Sequence, residues 1–273
     1  MATSAIAIDS LDDPRIEPYR ALKDRELAAA DGGRFIAEGP FLVERLLASD
    51  FDVESVLLAR RHVDRLGALA PADVPVYVAE DQIISRIVGF KFHLGAIACG
   101  RRRPVAAVAD VMAGLGARAT LLILPKITNT ENLGAMMRIG AAFGVDAIVF
   151  GPACCDPFYR QAVRVSMGAV LTLTLARSND MAADLRKLRD RHGFELIAAV
   201  TDHTARPLSQ TPRAQRIALL LGNEAEGLTD DQIALADRKV TIPMHLGTDS
   251  LNVAVAAAVF LYHFNSVTAC TPC

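Results

Sequence analysis

The stretch over residues 216–264 constrains the fold most, because it repeats one pattern in which a short apolar run stops at a polar loop. Residues 217–221 lead into the glycine-bracketed loop 222–227 (GNEAEG), and residues 240–242 lead into 243–247 (PMHLG). Runs this short predict buried strands. In parallel α/β sheets, ligands bind in the loops at the carboxyl ends of such strands. The pattern therefore predicts a ligand site, although two ordinary strand-to-helix turns would explain it as well.

Strand and helix patterns alternate over most of the chain, which predicts an α/β fold. The chain has 273 residues, 52% of them hydrophobic, and this length accommodates two domains with separate cores. We expect a flexible leader over residues 1–14, a small α/β domain over 15–104, a linker over 105–118 and a larger parallel-sheet domain over 119–268. In the small domain, an apolar run at 34–38 predicts a strand, and Pro40 suits the first position of the following helix.

No segment of the sequence predicts export or membrane insertion. Residues 1–14 lack a basic start and the apolar core of a signal peptide. The apolar segment 251–264 suits a helix of about four turns. It contains Asn252 and is too short to cross a bilayer. We therefore expect a soluble, cytoplasmic protein without a membrane partner.

The motifs that would indicate metal or covalent chemistry are missing from the sequence. Five cysteines, two of them adjacent at Cys154 and Cys155, do not combine with a second CxxC pair or with spaced histidines into a zinc site. Cys270 and Cys273 stand at a chain end, so we interpret them as an inert tail. The chain also lacks the dinucleotide glycine fingerprint, the P-loop, the G-x-S-x-G elbow and the H-E-x-x-H zinc motif. We expect no metal.

Three motifs, taken in chain order, carry a resemblance to a known family. They read Asn129-Thr-Glu-Asn132-Leu-Gly134 with Arg138 and Phe143-Gly144, then Gly222-Asn-Glu224-Ala-Glu-Gly227-Leu, then Ile242-Pro-Met244 with Ser250-Leu251-Asn252-Val-Ala. Together they resemble the motifs of the SpoU–TrmH family of RNA ribose 2'-O-methyltransferases. The resemblance is close over residues 121–262 and loose over the N-terminal third.

This resemblance implies a fold, a cofactor and partners. The implied C-terminal domain is a methyltransferase domain tied into a trefoil knot, and a small α/β RNA substrate-binding domain precedes it. The implied cofactor is S-adenosylmethionine, held by Gly222, Ile242 and Leu251, with Leu221 and Met244 lining the pocket. The implied partners are a structured RNA and a second copy of the chain, which docks through the C-terminal domain and its apolar last helix.

The same resemblance assigns a catalytic set, which comprises Arg138, Asn132, Glu224, Ser250 and Asn252. Because guanidinium groups hold their proton near neutral pH, Arg138 is better suited to stabilise a developing alkoxide than to act as a base, although a phosphate-polarised base stays an alternative. The two asparagines would position a phosphate or the 2'-hydroxyl. Ser250 would cap the last helix or contact substrate, and Glu224 would orient Arg138 or a loop backbone, or be a plain loop carboxylate.

The formal net charge of −2 means that RNA would have to be met by local basic patches. Arg101, Arg102 and Arg103 precede a proline, and they are either a solvated linker or phosphate contacts. Together with Arg164 they are the expected RNA-binding residues. Ribosomal and transfer RNA both suit this hypothesis. Two other functions stay open, namely a non-catalytic RNA-binding relative and an α/β enzyme on another nucleotide cofactor.

Overall fold

The computed structural model describes residues 5–20, 33–246 and 249–266. Contacts within the chain define two compact units. The first unit comprises Met1–Pro104 and Pro157–Thr172, and the second comprises Val105–Asp156 and Leu173–Cys273. The segment Pro157–Thr172 lies within the range that the sequence assigned to the larger domain, but its contacts are made with the first unit. Cys270 and Cys273 lie outside the described residues.

The described strands and helices alternate in both units. The strands are β1 (Ile6–Ala7), β2 (Arg34–Glu38), β3 (Val53–Ala59), β4 (Val76–Ala79), β5 (Ala96–Arg101), β6 (Ala106–Ala107), β7 (Ala119–Leu124), β8 (Ala147–Phe150), β9 (Leu175–Arg177), β10 (Glu195–Ala199), β11 (Arg206–Pro207), β12 (Arg216–Leu220) and β13 (Arg238–Thr241). The α-helices are α1 (Pro40–Leu47), α2 (Val63–Leu66), α3 (Asp81–Val88), α4 (Val108–Met112), α5 (Thr130–Ala142), α6 (Arg160–Val165), α7 (Met181–His192), α8 (Asp230–Leu235) and α9 (Val253–Ser266).

The first unit is built on a five-stranded mixed sheet in the order β1-β4-β3-β5-β2. The strands β1, β4 and β3 pair in parallel, and β5 pairs antiparallel to both β3 and β2. The predicted strand over 34–38 is confirmed, and Pro40 occupies the first turn of α1 as expected. Helix α6 packs against β2, which explains why its segment belongs to this unit.

The expected flexible leader is wrong for the described residues 5–14. Ile6 and Ala7 pair with Tyr77 and Val78 as an edge strand, and the Ile8 N–H donates to the Val78 carbonyl at 2.8 Å. Ile8 is buried in the core beneath this sheet. The apolar side chains of this stretch therefore anchor it by burial and sheet pairing. Residues 1–4 lie outside the described part of the chain.

The second unit contains an eight-stranded sheet in the order β11-β13-β10-β12-β7-β8-β9-β6, and every pairing in it is parallel. This confirms the predicted α/β class with a parallel sheet. The central strands β7, β10 and β12 are almost wholly buried apolar residues, as expected for a sheet covered on both faces. The last helix, predicted over 251–264, is α9, which packs against α5.

The predicted linker over 105–118 is wrong, because most of it is part of the second unit. Strand β6 pairs with β9 at the sheet edge, and α4 follows it directly. Val108, Val111 and Met112 are buried in the core that covers one face of the sheet. Their helical spacing of three and four residues gives α4 one apolar face, which the reading of this stretch as a linker overlooked.

None of the helices in the described residues has the length and apolar character that crossing a membrane requires.

Candidate functional site

A cavity of about 510 Å³ opens at the carboxyl ends of β10, β12 and β13, and all of its lining belongs to the second unit. This volume is within the usual range of small-molecule sites, roughly 300–1,000 Å³. The five residues that the sequence assigned to the cofactor all line it, namely Leu221, Gly222, Ile242, Met244 and Leu251. The cavity thus lies at the strand ends where the repeated strand-and-loop pattern predicted a ligand site.

The loop after β12 is a tight turn in which Gly222 cannot be replaced without rearrangement. The backbone groups of Asn223 and Gly227 exchange two hydrogen bonds of 2.9 Å, and the Asn223 side-chain oxygen accepts from the Ala225 N–H at 2.9 Å. A Cβ built on Gly222 would lie 2.1 Å from the carbonyl carbon of Gly227. The chain therefore passes itself at a distance that only glycine allows. Lys126 adds an ion pair of 2.7 Å to Glu226.

A directional network of side chains joins the three motifs at the cavity. The Asn252 amide donates to the Asn132 oxygen at 2.9 Å, and the Asn132 amide donates to Glu224 Oε1 at 2.9 Å. The Asn223 amide donates to Glu224 Oε2 at 3.1 Å. Each donor faces a single acceptor along this path, so the network fixes the orientation of both motif asparagines.

The same network is anchored in two helix starts. The Asn129 side chain accepts from the N–H groups of Glu131 and Asn132 and so caps α5, while its own N–H points at Glu224 Oε1 at 3.4 Å. The Asn252 oxygen accepts from the N–H groups of Ala254 and Val255 and caps α9. Glu224 therefore contacts the backbone at the start of α5 as well as the two asparagine side chains.

Ser250 was expected to cap the last helix or to contact substrate, and the cap is found at Asn252 instead. Ser250 lies two residues further from the helix, where it is exposed and lines the cavity. An N-cap must accept from N–H groups two or three positions later, and Asn252 meets that requirement. This leaves the Ser250 hydroxyl available to a bound molecule.

Arg138 stands apart from this site within its own chain. It is exposed, and among the described residues it does not line the cavity. It follows Asn132 by six positions on α5, which places it about 9 Å further along the helix axis and about 120° around it. The structure therefore brings together Asn132, Glu224, Ser250 and Asn252, and leaves Arg138 on a different face of the helix.

The arginines expected to bind RNA lie in the first unit and differ in their surroundings. Arg101 forms a 2.7 Å ion pair with Glu54, and the Arg102 Nε donates to the Arg34 carbonyl at 2.8 Å. Arg103 is exposed and stands 4.7 Å over the ring of Phe51. Arg164 is exposed on α6. The partners of Arg101 and Arg102 give these two side chains structural roles that the sequence pattern did not reveal.

Cys154 and Cys155 support the loop after β7 as protonated thiols. The Cys154 thiol donates to the Leu124 carbonyl at 3.0 Å, and the Cys155 N–H donates to the Ile127 carbonyl at 2.8 Å. Burial raises the pKa of the Cys155 thiol to about 12 and raises the pKa of Cys154 as well. The described residues contain no group of three side chains that could hold a metal ion.

Several residues of the site were not found from the sequence. Thr201, Asp249 and Phe260 line the cavity, and Asn129 and Asn223 complete the network. Asn129 and Asn223 carry a signal that could have found them, because an asparagine at a helix start or in a glycine-bracketed turn is typical of a cap or an Asx turn.

Comparisons with known proteins agree with this geometry. The model of the SpoU rRNA Methylase family matches residues 119–262. A protein of Mycobacterium bovis, named as an uncharacterized tRNA/rRNA methyltransferase, is 42% identical over 92% of this chain and 88% of its own length. A 23S rRNA guanosine 2'-O-methyltransferase of Bacillus subtilis is 24% identical over 94% of this chain and 98% of its own.

Among solved structures, an AdoMet-bound rRNA methyltransferase from Sinorhizobium meliloti superposes with a TM-score of 0.81. The match covers 96% of this chain and 98% of that one at 24% sequence identity. The similarity establishes the fold over nearly the whole length.

Proposed function

This chain belongs to the SpoU rRNA Methylase family, and on that premise we propose that it transfers the methyl group of S-adenosylmethionine to a ribose 2'-hydroxyl of structured RNA. The observation that carries the proposal is the hydrogen-bonded path from Asn252 through Asn132 to Glu224 at the cavity. Polar groups with fixed orientation at a cavity of nucleoside size are what a positioned transfer reaction needs.

The residues of the cavity fit the proposed cofactor. Backbone from β12 and β13 reaches the cavity at Gly222 and Ile242, and the side chains of Met244, Leu251 and Phe260 supply an apolar wall. Gly222 and Gly227 both line the cavity and carry no side chain, so their main-chain groups can meet a ligand directly. When bound, S-adenosylmethionine supplies a methyl group on a sulfonium, which needs neither a metal nor a covalent enzyme intermediate.

The amide network positions the acceptor in this proposal. Asn132 and Asn252 each use one amide hydrogen in the network and keep a second one. Those hydrogens can donate to a phosphate or a ribose oxygen and hold the hydroxyl in line with the methyl group. The exposed hydroxyl of Ser250 and the carboxylate of Asp249, which both line the cavity, can accept hydrogen bonds from the sugar. In this arrangement Glu224 orients and does not exchange protons with the substrate.

A homodimer accounts for the position of Arg138. Val255, Val259 and Tyr262 form an exposed apolar stripe along one side of α9, at spacings of four and three residues. We propose that a second copy covers this stripe and that the arginine of one chain serves the cavity of the other. There the guanidinium would stabilise the alkoxide as it forms. The deep trefoil knot implied by the family resemblance is part of the same proposal, as is a cytoplasmic location, where RNA and cofactor meet.

Subunit mixing tests the shared site. Arg138→Ala removes the guanidinium and Asn132→Asp breaks the network, so each variant alone should lose methyl transfer. After mixing and exchange of subunits, heterodimers contain one intact site, and roughly a quarter of the wild-type rate should return. Mixtures that stay inactive, with exchange verified by mass, would show that Arg138 does not act across a dimer.

The reaction itself is tested with labelled S-adenosylmethionine and total RNA from a strain that lacks this gene. We expect label in ribosomal or transfer RNA at a linkage that resists alkali, because a 2'-O-methyl group blocks cleavage of the neighbouring phosphodiester. RNA from the parent strain is the control and should accept little label. Label confined to alkali-sensitive positions, or no label despite cofactor binding, would refute the proposal.

A further inference from the structure

The first unit carries exposed apolar side chains in two groups that the segments 38–41 and 160–167 connect, and we call the two groups together the aromatic–arginine surface. It consists of Phe41, Phe90, Leu94 and Met167, with the guanidinium groups of Arg45 and Arg160. The four apolar side chains expose 36–46% of their surface. Large apolar groups left in water at one place mark an interaction site more often than scattered single ones.

Direct contacts hold each of the two groups together. Arg160 stands 5.0 Å over the ring of Phe90, and its Nη1 donates to Glu38 at 2.7 Å. Gly39 follows Glu38 in the chain, and a Cβ built on it would lie 3.1 Å from Leu94 Cδ1.

The second group begins at Phe41, which follows Pro40 in the chain. Arg45 stands 4.5 Å over the Phe41 ring and donates to the Met167 carbonyl at 2.6 Å. The chain segment 38–41 connects this group to the one around Phe90.

The planar side chains of this surface are held in place by contacts within the first unit. Phe90 packs edge-on against the buried Phe92, with ring centroids 6.0 Å apart. Arg160 is fixed by Glu38, which is buried, and Arg45 by a backbone carbonyl. Holding a planar side chain in advance lowers the entropy that a ligand must overcome on binding.

We infer that the aromatic–arginine surface binds unpaired nucleotides of the RNA substrate by stacking their bases, an inference that rests on the proposed function. Bases freed from a helix stack on aromatic rings and on guanidinium planes. Charge complementarity favours RNA over an apolar protein partner, since the surface carries the guanidinium groups of Arg45 and Arg160 over its two rings, while the Glu38 carboxylate is buried and paired with Arg160. The faces of bases within a duplex are already stacked, so the surface should select single-stranded RNA.

Fluorescence anisotropy with the full chain, without cofactor, tests this inference. The probes are a short labelled single-stranded RNA of mixed sequence and the same strand annealed to its complement. The wild type should bind the single strand more tightly than the duplex. Phe41→Ala/Phe90→Ala should weaken single-strand binding roughly 10- to 100-fold and leave duplex binding unchanged. Leu69→Ala, at a leucine of the same unit that is equally exposed but outside this surface, should change neither.

Arg45→Lys separates stacking from charge, because lysine keeps the cation and loses the plane. It should weaken single-strand binding several-fold at an unchanged salt dependence. Unaltered single-strand binding in the phenylalanine double variant, with folding verified by its melting curve, would overturn the inference, as would an equal loss on the duplex. If the double variant changes the oligomeric state and leaves RNA binding unchanged, the surface is a protein interface, and this result would also overturn the inference.

The methyl-transfer assay distinguishes a failure of this inference from a failure of the proposed function. A chain that methylates no RNA but loses single-strand binding in the double variant would refute the function and support the surface. If Phe41→Ala/Phe90→Ala methylates a limiting amount of RNA as fast as the wild type, the RNA-binding role of the surface is refuted and the proposed function is unaffected.

Discussion

The cavity of the second unit and the aromatic–arginine surface of the first are built from opposite kinds of groups. The network at the cavity consists of neutral amides around the Glu224 carboxylate, with each hydrogen bond assigned to a donor and an acceptor. The surface is organised by rings and guanidinium groups in contacts of 4.5–5.0 Å that tolerate sliding. Directional contacts suit a reaction that needs one geometry, whereas stacking suits the capture of bases of any sequence. The predictions below test whether these two regions can be disturbed separately.

Gly222→Ala should have the largest effect and should be confined to the cavity. The added Cβ would meet the backbone of Gly227 at 2.1 Å, so the loop must move away from the strand ends. We expect S-adenosylmethionine to lose its ability to raise the melting temperature, and methyl transfer to fall below detection.

Gly193→Ala is the matched control for that variant, because it lies in the same unit outside the cavity lining, at a φ of +66° with open space around its Cβ. It should cost about 1 kcal/mol of stability from backbone strain and keep cofactor binding. Equal losses in both variants would show that the close passage at Gly222 has no special role. Binding of single-stranded RNA should survive both substitutions.

Asn132→Asp should come next, with a fall of roughly 100-fold in the methyl-transfer rate. The substitution replaces the donor to Glu224 by a second carboxylate at 2.9 Å. Like charges at this distance raise the pKa of the pair, so lowering the pH protonates one member and restores a donor. The rate of the variant relative to the wild type should therefore rise as the pH falls.

A rescue variant decides whether the hydrogen bond itself matters. Asn132→Asp/Glu224→Gln exchanges the carboxylate and the amide and re-forms the contact with reversed direction. It should recover part of the activity at neutral pH. A double variant as inactive as Asn132→Asp, with cofactor binding intact, would mean that the carboxylate has to stand at position 224.

Tyr262→Arg should disrupt the proposed dimer with a smaller effect on each chain. Tyr262 is the most exposed residue of the α9 stripe, and a cation near the end of a helix is compatible with the helix dipole. Burying an unpaired charge should weaken association about 10-fold or more, measured by sedimentation at several concentrations. Leu69→Arg in the first unit serves as the control, and an unchanged oligomeric state in Tyr262→Arg would contradict the proposed interface.

Arg103→Gln should have the smallest effect, on RNA binding alone. Arg103 is exposed over Phe51, so its loss should weaken binding a few-fold and lower the slope of affinity against salt by about one. The methyl-transfer rate at saturating RNA should not change. A steeper loss than that of the phenylalanine double variant would make charge, and not stacking, the main source of affinity in the first unit.

The cavity could be predicted from the sequence and the aromatic–arginine surface could not, for a physical reason. Gly222, Ile242 and Leu251 stand directly after strands or before a helix, so local patterns locate them at one edge of a parallel sheet. Phe41, Phe90 and Met167 come from distant parts of the chain, and only the folded first unit brings them together. Leu94 gave no local signal either, since a single exposed leucine is common on protein surfaces.

Other differences arose where elements are very short. Strands β1 and β6 have two residues each, which is too few to show a periodic pattern, and pairing with β4 and β9 gives them their places in the sheets. Arg138 lies off the buried side of α5, and the helix by itself does not show which surface the exposed face meets. Orientation toward a second molecule is not encoded in a local pattern.

Steady-state methyl transfer against RNA concentration tests the separation of the two regions most directly. The account predicts that Phe41→Ala/Phe90→Ala raises the half-saturating RNA concentration about 10-fold or more and leaves the plateau rate within about twofold. It predicts the reverse for Asn132→Asp, a plateau lower by roughly 100-fold at a similar half-saturating concentration. A lowered plateau in the phenylalanine variant, or a change confined to half-saturation in Asn132→Asp, would contradict it.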